Sequence, residues 1–151
     1  MNKIVMGVMM ISLFSCATGK PAIADSKKLY EVLTEQTYGG AAIRFYEILS
    51  EPNEIKMIQK DENLKNSIKP TDLQNSNFVI LNMGQKTSGG YSINVESVVE
   101  TPTQIIIKVK EMAPEPGGMV TQALTNPFCV VKINSKKEII FLSSPEKVIQ
   151  D

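Results

Sequence analysis

The 151-residue chain sets 16 basic against 16 acidic residues and is 42% hydrophobic, which suits one domain with a real core rather than a disordered segment. That neutral balance leaves no surplus of cations for phosphates, which argues against a dedicated nucleic-acid binder. The chain has no His, so it cannot build a Ser-His-Asp or Cys-His arrangement, and it lacks the commonest zinc ligand.

Residues 1–15 have the form of a signal peptide. Lys3 supplies the positive start, and residues 4–14 form an apolar run. The run is far shorter than the ~20 residues that span a bilayer. Leu13-Phe-Ser-Cys16 resembles the bacterial lipobox, whose cysteine is acylated, although Phe14 is bulkier than the usual occupant. Cys16 is therefore the candidate lipidation site, implying a lipoprotein of the bacterial cell envelope held to the membrane by acyl chains such as palmitate. Ala22-Ile-Ala24 offers a competing cleavage site that gives export without an anchor. Loss of residues 1–15 removes Lys3 and no acid, leaving 15 basic and 16 acidic residues and a net charge of −1. Residues 16–28 read as a tether, 29–142 as the domain and 143–151 as a tail.

Residues 29–34 read as a first strand, and Tyr38-Gly-Gly40 as a turn or bulge. Residues 41–49 resume as a strand, with Ile43, Phe45 and Glu47 alternating against Arg44, Tyr46 and Ile48. A helix of two to three turns is expected from Ser50, which can cap it, with Pro52 in the first turn and Ile55, Met57 and Ile58 on its apolar side. Polar residues 61–77 read as an irregular crossing. From Phe78 the pattern is that of an antiparallel meander. Residues 78–83 form a strand buried on both faces, and Tyr91, Ile93, Val95 and Val99 line one face of the next. Thr101-Pro-Thr103 turns the chain, and Ile105, Ile107 and Val109 then point inward. Residues 128–133 and 138–142 flank a hairpin turn at Asn134-Ser-Lys-Lys137. Cys129 alternates with Val131 and Ile133 and reads as a small buried hydrophobe, since no cations gather to activate its thiol. The sum is an α+β domain with six or seven mostly antiparallel strands and one short helix.

Two connections stand out. The first is Gly84-Gln-Lys-Thr-Ser-Gly-Gly-Tyr91, whose three glycines open backbone conformations closed to other residues. The second is Ala113-Pro-Glu-Pro-Gly-Gly-Met119, continuing to Thr125-Asn-Pro-Phe128. Together with the strand 78–83, these segments resemble the PrcB C-terminal domain family. The shared pattern is a strand, Gly, a polar stretch, Gly-Gly-Tyr and a second strand. It continues with Pro-x-Pro-Gly (here Pro114-Glu-Pro-Gly117), Thr121-Gln122 and Thr-x-Pro-aromatic (here 125–128). The resemblance is specific over residues 78–133 and looser upstream. It implies an exported, often lipid-anchored accessory protein without catalytic activity or cofactor. The implied partner is an envelope protein such as a protease, which the family's namesake assists or stabilises within a protease complex.

The docking residues expected from the first connection are Gly84, Lys86, Thr87, Ser88, Gly89, Gly90 and Tyr91. The second contributes Pro114, Pro116, Gly117, Asn126, Pro127 and Phe128. Glycines here could cradle a phosphate, but a phosphate loop opens a helix, whereas Tyr91 opens a strand. The prolines and glycines also serve plain turn geometry. Tyr91 and Phe128 are candidate anchors, yet either could pack in the core. Glu111 and Glu115 read as solvated acids rather than an acid–base pair, and Lys136-Lys137 as a solvated turn. A runner-up is loop-mediated protease inhibition of the chagasin type, in which three loops on a β-sandwich meet the enzyme. Thr87-Ser-Gly-Gly-Tyr91 and Asn126-Pro-Phe128 resemble its loops, but no Asn-Pro precedes the first. A small enzyme using carboxylates, Lys or Tyr is a third class, without a convergent residue set.

Overall fold

The computed structural model describes residues 28–142. The signal segment, Cys16, the Ala22-Ile-Ala24 site, all of the tether but residue 28, and the tail 143–151 lie outside the described residues. Among the described residues, seven strands form two sheets. Sheet A has the order β1 (Tyr30–Gln36), β6 (Phe128–Ile133), β3 (Asn77–Asn82), β2 (Phe45–Leu49), and sheet B the order β4 (Ser92–Glu100), β5 (Gln104–Met112), β7 (Glu138–Leu142). The α+β class holds, with two short helices, α1 (Pro52–Ile58) and α2 (Asp72–Asn75), in place of one.

The meander is replaced by a sandwich. Only β4 and β5 join as a hairpin among the strands after Phe78. The connections β3–β4, β5–β6 and β6–β7 each pass between sheets. Residues 134–137 are therefore a crossing, not a hairpin turn, and β7 lies parallel to β5. Lys137 Nζ reaches the Thr101 carbonyl at 2.8 Å and Glu100 at 2.8 Å, which ties down a turn that reads as solvated in sequence.

The two-period of the strands explains the core. Val79, Leu81 and Met83 face Ile105, Ile107 and Val109 across the sandwich, and Cys129, Val131 and Ile133 complete the layer. Each fully buried Val, Leu or Ile contributes about 1.5–3 kcal/mol. Phe78 and Val130 point the other way and pack beneath Ile55, Leu64 and Ile68 on the outer face of sheet A. Strand β3 is thus buried on both faces, as its continuous apolar run indicates.

One register differs from simple alternation. Val95 pairs with Val109 but Ser97 with Lys108, so Glu96 is an extra residue, a β-bulge. The bulge turns Val98 onto the core and leaves Val99 at 53% exposure, reversing the inward placement expected for Val99. Helix α1 is capped by Glu51 rather than Ser50. The Glu54 carboxylate accepts the backbone N–H groups of Ser50 and Glu51, both at 3.1 Å, closing a capping box. Met57 points to solvent, so Ile55 carries the burial of this helix. The crossing 61–77 is less irregular than its polarity suggests. Leu64 and Ile68 are buried in it, and α2 starts where Asp72 accepts the Lys69 N–H at 2.9 Å.

Candidate functional site

Strand register decides where the connections lie. The end of β3 (Asn82) pairs with the start of β6 (Phe128) and the start of β2 (Phe45), while the end of β1 (Gln36) also meets Phe128. In sheet B the start of β4 (Ser92) pairs with the end of β5 (Met112). Residues 37–44, 84–91 and 113–127 therefore all emerge at one rim of the sandwich. The first of these carried no docking expectation; its residues read as a turn at Tyr38-Gly-Gly40 and then a strand from residue 41, whereas β2 begins only at Phe45.

Hydrogen bonds fasten the three together. Lys86 and Thr125 exchange backbone bonds at 2.8 and 3.0 Å, and Gly89 N–H donates to the Thr121 carbonyl at 2.8 Å. The buried Thr125 hydroxyl donates to the Ser88 carbonyl at 2.8 Å. Gly40 N–H donates to Asn126 and Asn126 N–H to Thr37, each at 3.0 Å. The buried Asn82 side chain holds residues 41–43, accepting from Ala41 N–H at 2.9 Å and donating to the Ala41 and Ile43 carbonyls at 2.9 and 2.6 Å. A polar residue inside an otherwise apolar strand was the sequence signal for this role, because buried amides find partners.

The anticipated docking residues divide by burial. Gly84, Gly89 and Pro127 are buried and cannot themselves form a contact surface. Gly84 sits against the backbone of Ala42 and Arg44, where a Cβ would lie 3.1 and 3.0 Å away. Gly90 has φ +86°, and a Cβ there would lie 2.8 Å from Pro114 Cβ, so only glycine lets the two connections touch. Phe128 turns onto the outer face of sheet A with Val130, half-buried beside Gly39 and Gly40 of the connection 37–44. Tyr91 is half-buried against the inter-sheet core, and Lys86 Nζ lies 5.5 Å from its ring centroid. Thr87, Pro116 and Gly117 are exposed. Lys86, Ser88, Pro114 and Asn126 are half-buried.

What the rim displays instead is apolar. Met119 is fully exposed, Ile43 is 77%, Leu124 60% and Tyr38 56% exposed, with Met112 and Val120 beside them in chain order. Below them a polar cluster links the two sheets. Arg44 Nε donates to Glu111 Oε1 at 2.9 Å, the Tyr46 hydroxyl donates to the same oxygen at 2.8 Å, and Arg44 Nη2 donates to the Tyr46 hydroxyl at 2.9 Å. Burial, then the bond to Glu111, pushes the Tyr46 hydroxyl up to about 12. Its bond to Glu111 raises the Arg44 guanidinium above its ordinary value. Glu111 is therefore engaged rather than a free loop acid. Burial likewise pushes the Cys129 thiol up to about 12, which fits an inert core residue. Among the described residues no group of three His, Cys, Asp or Glu side chains is placed to hold a metal ion.

Residues 77–134 match the PrcB C-terminal family model. The family resemblance carried by the motifs thus holds from the first residue of β3 to the residue after β6. The PrcB C-terminal match contains the connections 84–91 and 113–127, while residues 37–44 lie upstream of it. The chain matches no curated protein and no solved structure.

Proposed function

We propose that this chain is a non-catalytic binding module that docks another envelope protein, such as a protease, through the rim formed by its three connections. The observation that carries this reading is the fastening of 84–91 to 113–127 beneath exposed Met119 and Leu124. Prolines and cross-loop bonds hold the apolar side chains at low entropic cost, and methionine adapts to a partner's shape. The PrcB C-terminal match supports a protein partner rather than a reaction. Export and anchoring through Cys16 complete the proposal, and acyl-chain labelling of the wild type against Cys16→Ser tests that part.

A photo-crosslinking residue at position 119, compared with one at the exposed position 62, tests the docking face in cells. The expected result is one protein adduct from position 119 that is lost with Leu124→Asp. Equal labelling from both positions, or none from 119, refutes the rim. The participation of a third loop also favours the chagasin-like alternative. If the captured partner is a protease, its activity on adding the purified chain separates the readings: loss means inhibition, and longer survival means stabilisation.

A further inference from the structure

The outer face of sheet A is only partly covered by α1. Beside the helix lies an open groove of about 400 Å³ whose apolar floor includes Phe45, Ile58, Leu64, Ile80, Phe128 and Val130. A second hollow of about 250 Å³ adjoins it and shares Met57, Ile58 and Ile80. The charged residues lining the two are all acidic: Asp61 in the first, Glu47 and Glu54 in the second. Asp61 uses one oxygen to accept the Asn63 N–H at 2.8 Å, and Glu54 serves the start of α1, so Glu47 is the acid with no structural task in the bonds described. The outer face of sheet B makes a useful contrast. Val99, Ile106 and Ile140 form a row there, but the Lys108–Glu96 pair beside them offers both signs of charge and selects no partner.

We infer that the groove binds an extended peptide segment of a protein partner in which apolar residues alternate with lysine or arginine. An extended chain sends successive side chains to opposite sides, so alternate apolar residues reach the floor, and the long, flexible stems of the intervening lysines or arginines fold back over the edges to the acidic residues. Strand β2, whose Phe45 lines the groove and whose Glu47 and Leu49 line the adjoining hollow, spans about 13 Å at ~3.3 Å per residue, room for four or five peptide residues across the two. Such a charge pattern rejects an acidic peptide of equal hydrophobicity, because its carboxylates would face Glu47, Glu54 and Asp61. The groove meets the rim at Gly39, Gly40 and Ala41 of the connection 37–44, but no residue of 84–91 or 113–127 lines it, so crosslinking from position 119 and peptide binding in the groove can fail independently.

The test uses the full chain and two labelled peptides, one alternating leucine with lysine and one alternating leucine with glutamate, read by fluorescence polarisation. The expected result is saturable binding of the lysine peptide at least tenfold tighter than the glutamate peptide. Glu47→Lys combined with Met57→Arg, both at exposed positions, should weaken it by about tenfold, or ~1.4 kcal/mol, without changing the melting temperature. Amide chemical-shift changes should concentrate in β2, α1 and Ile80. Equal binding of the two peptides, no binding up to ~1 mM, or shifts confined to residues 112–124 would overturn the inference. So would concentration-dependent dimerisation that Met57→Arg abolishes, since that would assign the groove to a second copy.

Discussion

Replacing Gly90 with alanine tests whether the two main connections truly pack on one another. At φ +86° an L side chain costs about 1–2 kcal/mol. The added methyl would also lie 2.8 Å from Pro114 Cβ and 3.3 Å from Val120 Cγ1. The Pro114 ring is closed onto its own backbone and cannot rotate aside, so overpacking adds about 1–3 kcal/mol. Gly117 is the control. Its φ is +78°, but nothing lies within 4 Å of its Cβ position, so Gly117→Ala carries the conformational cost alone. The expected difference between the two variants is the overpacking cost, about 1–3 kcal/mol, or roughly 4 °C in melting temperature for each kcal/mol. Urea denaturation measures it, and hydrogen exchange at Gly89, whose N–H donates to Thr121, should accelerate in Gly90→Ala only. If Gly90→Ala costs no more than Gly117→Ala and leaves exchange at Gly89 unchanged, the packed rim is wrong.

Further outcomes follow from particular contacts. Val98→Glu should destabilise by about 2 kcal/mol or more because it places a carboxylate on the core face, while Val99→Glu should stay within ~0.5 kcal/mol. Denaturant melts of the pair would expose a missing bulge as the reverse order. Tyr46→Phe should cost about 1 kcal/mol by removing the hydroxyl between Arg44 and Glu111, and an unchanged melt would show that this cluster adds nothing to closing the sandwich. Stability should decline in alkali. The Cys129 thiol is raised from 9.0 to about 12 and the Tyr46 hydroxyl from 10.0 to about 12. Both favour the neutral form in the folded state, so their contributions are whole below pH 9 and are lost as pH climbs toward 12. Cys129→Val should flatten the fall between pH 9 and 10, before tyrosine ionises, and an identical pH profile for the variant would refute that assignment.

Alternation along Ile105, Ile107 and Val109, and along Cys129, Val131 and Ile133, is a local property, so the inward faces of β5 and β6 were legible in the residues themselves. So was the two-sided burial of β3, because an apolar run without polar alternation leaves no face for water. The Gly84–Tyr91 pattern and Pro114-Glu-Pro-Gly117 were enough to mark the two connections and their resemblance to the PrcB C-terminal family, whose model matches residues 77–134. Sheet membership was not legible, because the same alternation serves a meander and a sandwich; long-range pairing, such as β3 with β6 and β7 with β5, chooses between them. Glu96 looks like any strand residue until its partner strand shows two residues facing one, and only then does Val98 replace Val99 in the core. Phe128 and Pro127 read as contact residues, but the register of β6 turns one outward beside Val130 and seals the other. Residues 37–44 showed only a turn at Tyr38-Gly-Gly40 and a strand-like alternation from residue 41; Asn82 from a distant strand instead holds 41–43 in the rim connection. Composition, periodicity and glycine or proline chemistry act over a few residues and therefore survive in the sequence. Which loops become neighbours, and which of their side chains meet solvent, is fixed by contacts between residues tens of positions apart, and only the folded chain brings those together.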